Sequence, residues 1–121
     1  MPEVPGSSQG IEIKEEVRIV ILKKIEDGKK LIIKIEGEIT AVNAPELSEM
    51  VDSVIDNTDN LIFDVSDMEY TSSAGLRIFL KALQIMDEKD GDTKVIGAND
   101  MVMEIFEETG FINFLNIEAA D

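Results

Sequence analysis

At 121 residues the chain is the length of one compact domain, and 44% hydrophobic residues are enough to bury a core without covalent staples. It contains neither cysteine nor histidine, which excludes disulfides, thiolate metal sites, the Ser-His triad and the commonest imidazole metal ligand. Twenty-six acidic against eleven basic residues give a net charge of −15, which disfavours nucleic acid and anionic membrane as partners. Such a charge suits either a partner that presents basic groups or simple solubility.

Residues 1–10 (MPEVPGSSQG) are nearly devoid of apolar side chains and rich in Pro, Gly and Ser, which predicts a disordered leader. This start lacks the basic and then apolar pattern of a secretory signal. Apolar runs reach only about four residues, against the ~20 needed to span a bilayer, so a cytoplasmic protein is expected. Ile11–Glu16 alternates apolar and charged residues, either as an extended lead-in or as part of a first strand. Val17–Lys24 and Leu31–Glu36 then read as strands joined at Asp27-Gly28 in an antiparallel hairpin, the second ended by Gly37. Asn43, Pro45 and Glu46 read as the N-cap, first turn and capping-box acid of a helix over 44–56. Its buried face is Leu47, Met50, Val51, Val54 and Ile55.

Leu61–Val65 reads as a central strand buried on both faces and followed by a loop. A second helix over 73–89 carries the stripe Leu76, Phe79, Leu80, Leu83 and Met86. Lys94–Gly97 is a fourth strand. A third helix over 100–109 is capped by Asn99 or Asp100 and stopped by Gly110, and Phe114–Ile117 is a last short strand or turn. Helices alternating with strands after a hairpin predict a single α/β domain, with a mixed sheet of about four or five strands and helices mainly on one face.

The stretch DVSDMEYTSSAGLRIFL (Asp64–Leu80) runs from a buried strand into a helix opened by Thr71, Ser72 and Ser73. The first N–H groups of a helix lack internal partners and lie at the positive end of the helix dipole. A hydroxyl there either caps the helix, its ordinary role, or carries a phosphate in favourable surroundings. Gly75 lets another surface approach the backbone. Asp64 and Asp67 read as strand-end and turn carboxylates rather than a catalytic pair. Arg77 lies off the apolar stripe, for an ion pair or a partner. Asp87, Asp90 and Asp92 lack the spacing and the closing glutamate of a calcium loop, so no metal site is expected. Met101 and Met103 suit either ordinary core and rim positions or an adaptable contact surface.

Three segments, in this order, resemble the STAS domain of the bacterial anti-sigma factor antagonist type: KIEGEITAVNAPEL (Lys34–Leu47), LIFDVSDMEYTSSAGLRIFLKAL (Leu61–Leu83) and KVIGANDMVMEIFEETGFINFLNI (Lys94–Ile117). The three segments cover nearly everything from residue 17 onward, and the STAS domain is expected over 11–117, with 118–121 a flexible tail. The family's acceptor motif commonly reads Asp-Ser-Ser/Thr-Gly-Leu, with the serine after the aspartate phosphorylated. Alignment on Gly75-Leu76 puts that serine at Ser73 and the aspartate position at Ser72, with Ser72 or Thr71 as competing acceptors. Thr40 stands where the loop after Gly37-Glu38 often carries an aspartate.

The resemblance implies a non-enzymatic module without cofactor. Its unphosphorylated form would bind a serine-kinase anti-sigma factor, which holds the ATP, and so release a sigma factor. Phosphorylation would end the contact, and a serine phosphatase would reset it. Glu38, Thr40, Thr71, Ser72, Ala74, Gly75 and Arg77 would form the partner surface. The alternative is a STAS module serving as scaffold, ligand sensor or regulator in another partner-switching pathway.

Overall fold

The computed structural model describes residues 19–119. The leader (1–10), Ile11–Glu16 and the first two residues of the expected Val17–Lys24 strand lie outside them. Within the described residues five strands form one sheet in the order β1-β2-β3-β4-β5: β1 Val20–Asp27, β2 Lys30–Ile39, β3 Asn60–Thr71, β4 Asp92–Ala98 and β5 Asn116–Ala119. β1 and β2 are antiparallel, with Asp27 paired to Lys30 across the expected Asp-Gly turn. The remaining pairs are parallel. The crossovers carry α1 (Ala44–Val54, followed by a 3-10 turn over Ile55–Asn57), α2 (Ser73–Glu88) and α3 (Asp100–Thr109). A parallel series whose order never reverses, joined by right-handed crossovers, stacks every helix on the same face. None of the described helices is long and apolar enough to cross a membrane.

Burial follows this sidedness. Leu31, Ile33 and Ile35 of β2, Leu61, Phe63 and Val65 of β3, and Val95 of β4 are buried beneath the helices, while the alternating Ile32, Lys34, Ile62, Asp64, Lys94 and Ile96 are only half-buried. β3 is therefore not covered on both faces as its apolar run suggests, because none of the described helices lies on the far side. Each helix contributes one stripe: Leu47 and Val51 from α1; Leu76, Phe79, Ala82 and Met86 from α2; Val102 and Phe106 from α3. Leu80 and Leu83, expected in the α2 stripe, are half-buried at its margin. Phe79 packs edge-on to Phe63 (centroids 4.8 Å apart) and to Phe106 (6.4 Å), so one side chain joins the sheet to two helices. Complete burial of each ring is worth about 1.5–3 kcal/mol, more than the ~0.5–1.5 kcal/mol of the edge contact itself.

Several boundaries differ from the sequence expectation. β1 runs three residues beyond Lys24 to the turn. β2 continues past Gly37, whose positive φ (93°) brings its α-carbon against the carbonyl oxygen of Ile19, where a Cβ would collide. That glycine is a kink within a strand, not its end. β3 does not give way to a loop after Val65. It pairs with β2 as far as Thr71, with register shifts that leave one extra β3 residue between Asp64 and Asp67 and another, Glu69, between Met68 and Tyr70. Ser66, Asp67 and Glu69, poor strand formers, sit at or beside these bulges, where they point to solvent. Glu118 and Ala119, expected in the tail, are in β5 and pair with β4.

Candidate functional site

The C-terminal ends of the parallel strands, with the helix starts that follow them, bring most of the sequence-predicted residues to one end of the sheet. At the end of β3, Thr71 is buried, and its hydroxyl donates to the Ser72 carbonyl oxygen (3.1 Å). The Ser72 N–H donates to the Ile39 carbonyl oxygen (2.9 Å), which locks the chain to β2 up to the residue at which α2 begins. Ser72 is the N-cap, in extended conformation, and its carbonyl accepts the first helical bond, from the Leu76 N–H (3.2 Å). Its side chain makes no capping bond. The Ser72 hydroxyl oxygen is buried and has no partner among the described residues. Ser73, the first helical residue, is exposed. The two neighbouring serines therefore differ sharply in access: a reagent from solvent meets the hydroxyl of Ser73, not that of Ser72.

Gly75 explains how α2 begins so close to the sheet. A Cβ there would run into the Thr71 hydroxyl and come within 2.9 Å of the Ile39 side chain, so the helix could not sit against both strand ends. Ala74 is half-buried and Arg77 exposed. Both line a shallow hollow of about 430 Å³ between the starts of α1 and α2, together with Ala41, Pro45, Glu49 and Ile78.

The β2–α1 turn is braced by its own side chains. The Thr40 hydroxyl accepts from the Val42 and Asn43 N–H groups (3.2 Å each), and the Asn43 amide oxygen accepts from the Thr40 N–H (2.8 Å). The Asn43 amide nitrogen donates to the Glu38 carbonyl oxygen (2.9 Å). Asn43 is the N-cap residue, but it makes no side-chain bond into α1, because both ends of its amide are turned back to the strand end. The capping box with Glu46 does not form. Thr40 shapes this turn and leaves Val42 exposed at its tip.

Across β3, Asn99 does cap its helix, accepting from the Val102 N–H (2.9 Å), while its amide nitrogen donates to the Met68 carbonyl oxygen (3.1 Å) beside the Glu69 bulge. This tie fixes α3 against the end of β3. Between them lies a groove of about 670 Å³ lined by Glu38, Glu69, Tyr70, Asn99, Asp100 and Met101. Sequence reading missed most of it: Met101 was legible as a contact residue, but the exposure of Tyr70 depends on a bulge that has no sequence signature. Met103 instead packs against the core. Among the described residues, no group of three or more acidic side chains is arranged to hold a metal ion. Asp87 is in the last turn of α2, Asp90 in the turn that follows and Asp92 at the start of β4, all at the opposite end of the sheet.

The STAS domain profile matches residues 15–120. Over 86 residues the chain is 26% identical to the anti-sigma-B factor antagonist of Staphylococcus aureus strain NCTC 8325 / PS 47, an alignment covering 70% of this chain and 80% of that one. Its fold is similar to the crystal structure of an anti-sigma factor antagonist from Mycobacterium paratuberculosis, with a TM-score of 0.75, 21% identity, and 83% and 86% of the two chains covered. It is also similar to the anti-sigma factor antagonist SpoIIAA in its unphosphorylated form, with a TM-score of 0.70, 14% identity, and 82% and 87% covered. On the match to nearly its whole length, this chain belongs to the STAS domain family.

Proposed function

We propose that this protein is a cytoplasmic, non-enzymatic anti-sigma factor antagonist switched by phosphorylation of Ser73. The observation that carries this reading is the exposure of Ser73 as the first residue of α2, next to a Ser72 hydroxyl that is buried. The name shared by its relatives, anti-sigma factor antagonist, supports an anti-sigma factor as the partner; in this reading the unphosphorylated form binds a serine-kinase anti-sigma factor, so that the sigma factor is released. In the transfer, the Ser73 oxygen attacks the γ-phosphorus of ATP held by the kinase, the bond to the ADP oxygen breaks, and the hydroxyl proton passes to a base of the kinase. This chain has no histidine to act as that base, and it supplies only the acceptor and its surroundings. A serine phosphatase completes the cycle.

The phosphate would rest among first-turn N–H groups at the positive end of a 16-residue helix, surroundings that favour a dianion in the isolated protein. Against a partner surface fitted to a neutral hydroxyl, the same dianion is unmatched and costs several kcal/mol, roughly a hundredfold or more in affinity. Of the expected partner-surface residues, Thr40, Thr71 and Gly75 shape the strand ends, Ser72 opens α2, Ala74 and Arg77 offer contact beside Ser73, and Glu38 lines the neighbouring groove between β3 and α3.

The test is phosphorylation by the anti-sigma kinase from the same cells, with the phosphopeptide mapped by mass spectrometry and affinities measured calorimetrically on both forms. Ser73→Ala is expected to abolish phosphate uptake, while Ser72→Ala leaves most of it. Phosphate on residue 72, or equal affinity of the two forms, overturns the proposal.

A further inference from the structure

The groove between β3 and α3 lies on the same end of the sheet as Ser73 but on the other side of the β3 strand end from the Ala74–Arg77 hollow. Its apolar lining is exposed: Tyr70 is 43% and Met101 58% accessible. Around them stand the carboxylates of Glu69 and Asp100, both exposed, and none of the described residues that line the groove is cationic. The walls are held apart by a fixed strut, since the Asn99 amide bonds to both the end of β3 and the first turn of α3. A groove fixed in this way does not have to be ordered on binding, which lowers the entropic cost of filling it.

An apolar side chain entering here would be buried against the Tyr70 ring and the flexible Met101 thioether, the kind of anchor that dominates protein interfaces. Its neighbours would meet carboxylates on a protein of net charge −15, so basic flanks are drawn in and acidic ones repelled. We propose that this groove receives a segment of the partner kinase in which an apolar side chain is flanked by Arg or Lys, so that recognition of the antagonist extends beyond Ser73 to the first turn of α3. This rests on the reading that a kinase docks at this end of the sheet. The contact is the same before and during phosphoryl transfer, so it tightens substrate binding without changing the chemical step.

The experiment is steady-state phosphorylation of Ser73 by the kinase, with this protein as the varied substrate and amide spectra as the control for folding. Tyr70→Ser and Met101→Ser are each expected to raise KM about tenfold with kcat unchanged. Glu69→Lys should also raise KM, more strongly at ~0.05 M than at ~0.5 M salt. Phe114→Ser, at an exposed aromatic at the opposite end of the sheet, should leave both parameters alone. If Ser73 is phosphorylated normally and the Tyr70 and Met101 variants keep the wild-type KM, the groove proposal fails while the switch stands.

A second arm is independent of any kinase. Short peptides carrying Arg-Leu-Arg, Glu-Leu-Glu or Arg-Ser-Arg at their centre are titrated against the isotope-labelled protein. Shifts centred on Tyr70 and Met101 with the first peptide alone support the proposal, whether or not Ser73 proves to be the acceptor. Equal shifts with either control, shifts spread over the acidic surface, or none at all overturn it.

Discussion

At the scale of single residues, the site depends on small side chains that let α2 start against the strand ends. Gly75 is the clearest case, since the Thr71 hydroxyl and the Ile39 side chain occupy the space a Cβ would need. An alanine normally favours a helix interior by up to ~1 kcal/mol over glycine. Here the clash outweighs that gain, because Ile39 and Thr71 are both buried and cannot swing away. Gly75→Ala is expected to destabilise the domain by about 1–3 kcal/mol, measured by urea unfolding, and to lower phosphate uptake at Ser73 by displacing the first turn. A more stable variant would show that the strand ends yield more easily than their burial implies. Ser72 is the converse case. Its hydroxyl occupies an N-cap position but takes no part in capping, and an unpartnered buried hydroxyl costs about 1–3 kcal/mol.

At the scale of elements, the face of the sheet without helices is stabilised differently from the core. Diagonal ion pairs cross it: Lys23 to Glu36 (3.1 Å), Lys34 to Asp67 (3.2 Å) and Lys94 to Glu118 (3.0 Å). The middle pair links β2 to the bulged part of β3. Its hydrogen bond to the Asp67 carboxylate raises the Lys34 ammonium above the ordinary lysine value of 10.5, and that carboxylate's charge adds to the effect. Burial opposes the shift, and Asp64 and Glu36 add smaller upward pushes. Because the folded-state value lies above the unfolded one, the pair contributes fully below 10.5 and its contribution is lost as pH rises through the folded-state value. The stability gap between wild type and Lys34→Met should therefore be constant through neutral pH and shrink above 10.5, as read by denaturant unfolding in a pH series. A gap that grows in that window contradicts the assignment. Both partners are partly in solvent, so the gap itself should be small and should narrow with salt.

At the scale of the whole molecule, the charge of −15 sets how phosphorylation is felt. A phosphoserine adds about −1.5 to −2 charges, which increases self-repulsion on an already acidic surface. The start of α2 offsets part of this locally, by about 0.3–1 kcal/mol. The two nearly balance, so Ser73 phosphorylation is expected to shift the thermal midpoint by only a few degrees, less at high salt. Chemical-shift changes should stay within the β3–α2 junction and the first turn. Changes spread through the Phe63–Phe79–Phe106 cluster would mean that the switch works by remodelling the core.

The hairpin, the alternation of helices and strands, an apolar face on each of the first two helices and the position of Ser73 at a helix start are all legible in the chain. These are local matters: hydrophobic period, turn residues and the lack of i−4 partners at a helix N-terminus act over a few neighbouring residues. The match of family profile and fold was likewise legible, in segments around Gly37, Gly75 and Gly110. The rest depends on how distant parts of the chain pack together. β3 continues through Asp67 and Glu69 because pairing with β2 outweighs their poor strand propensity, and its bulges turn Tyr70 outward. Asn43 gives up its capping role to brace a turn, while Asn99 caps α3 and holds a strand end as well. Ser72 and Ser73 read alike in the chain, and their hydroxyls part only where α2 packs onto the sheet. Burial is fixed by contacts between residues far apart in sequence, and no local pattern encodes it.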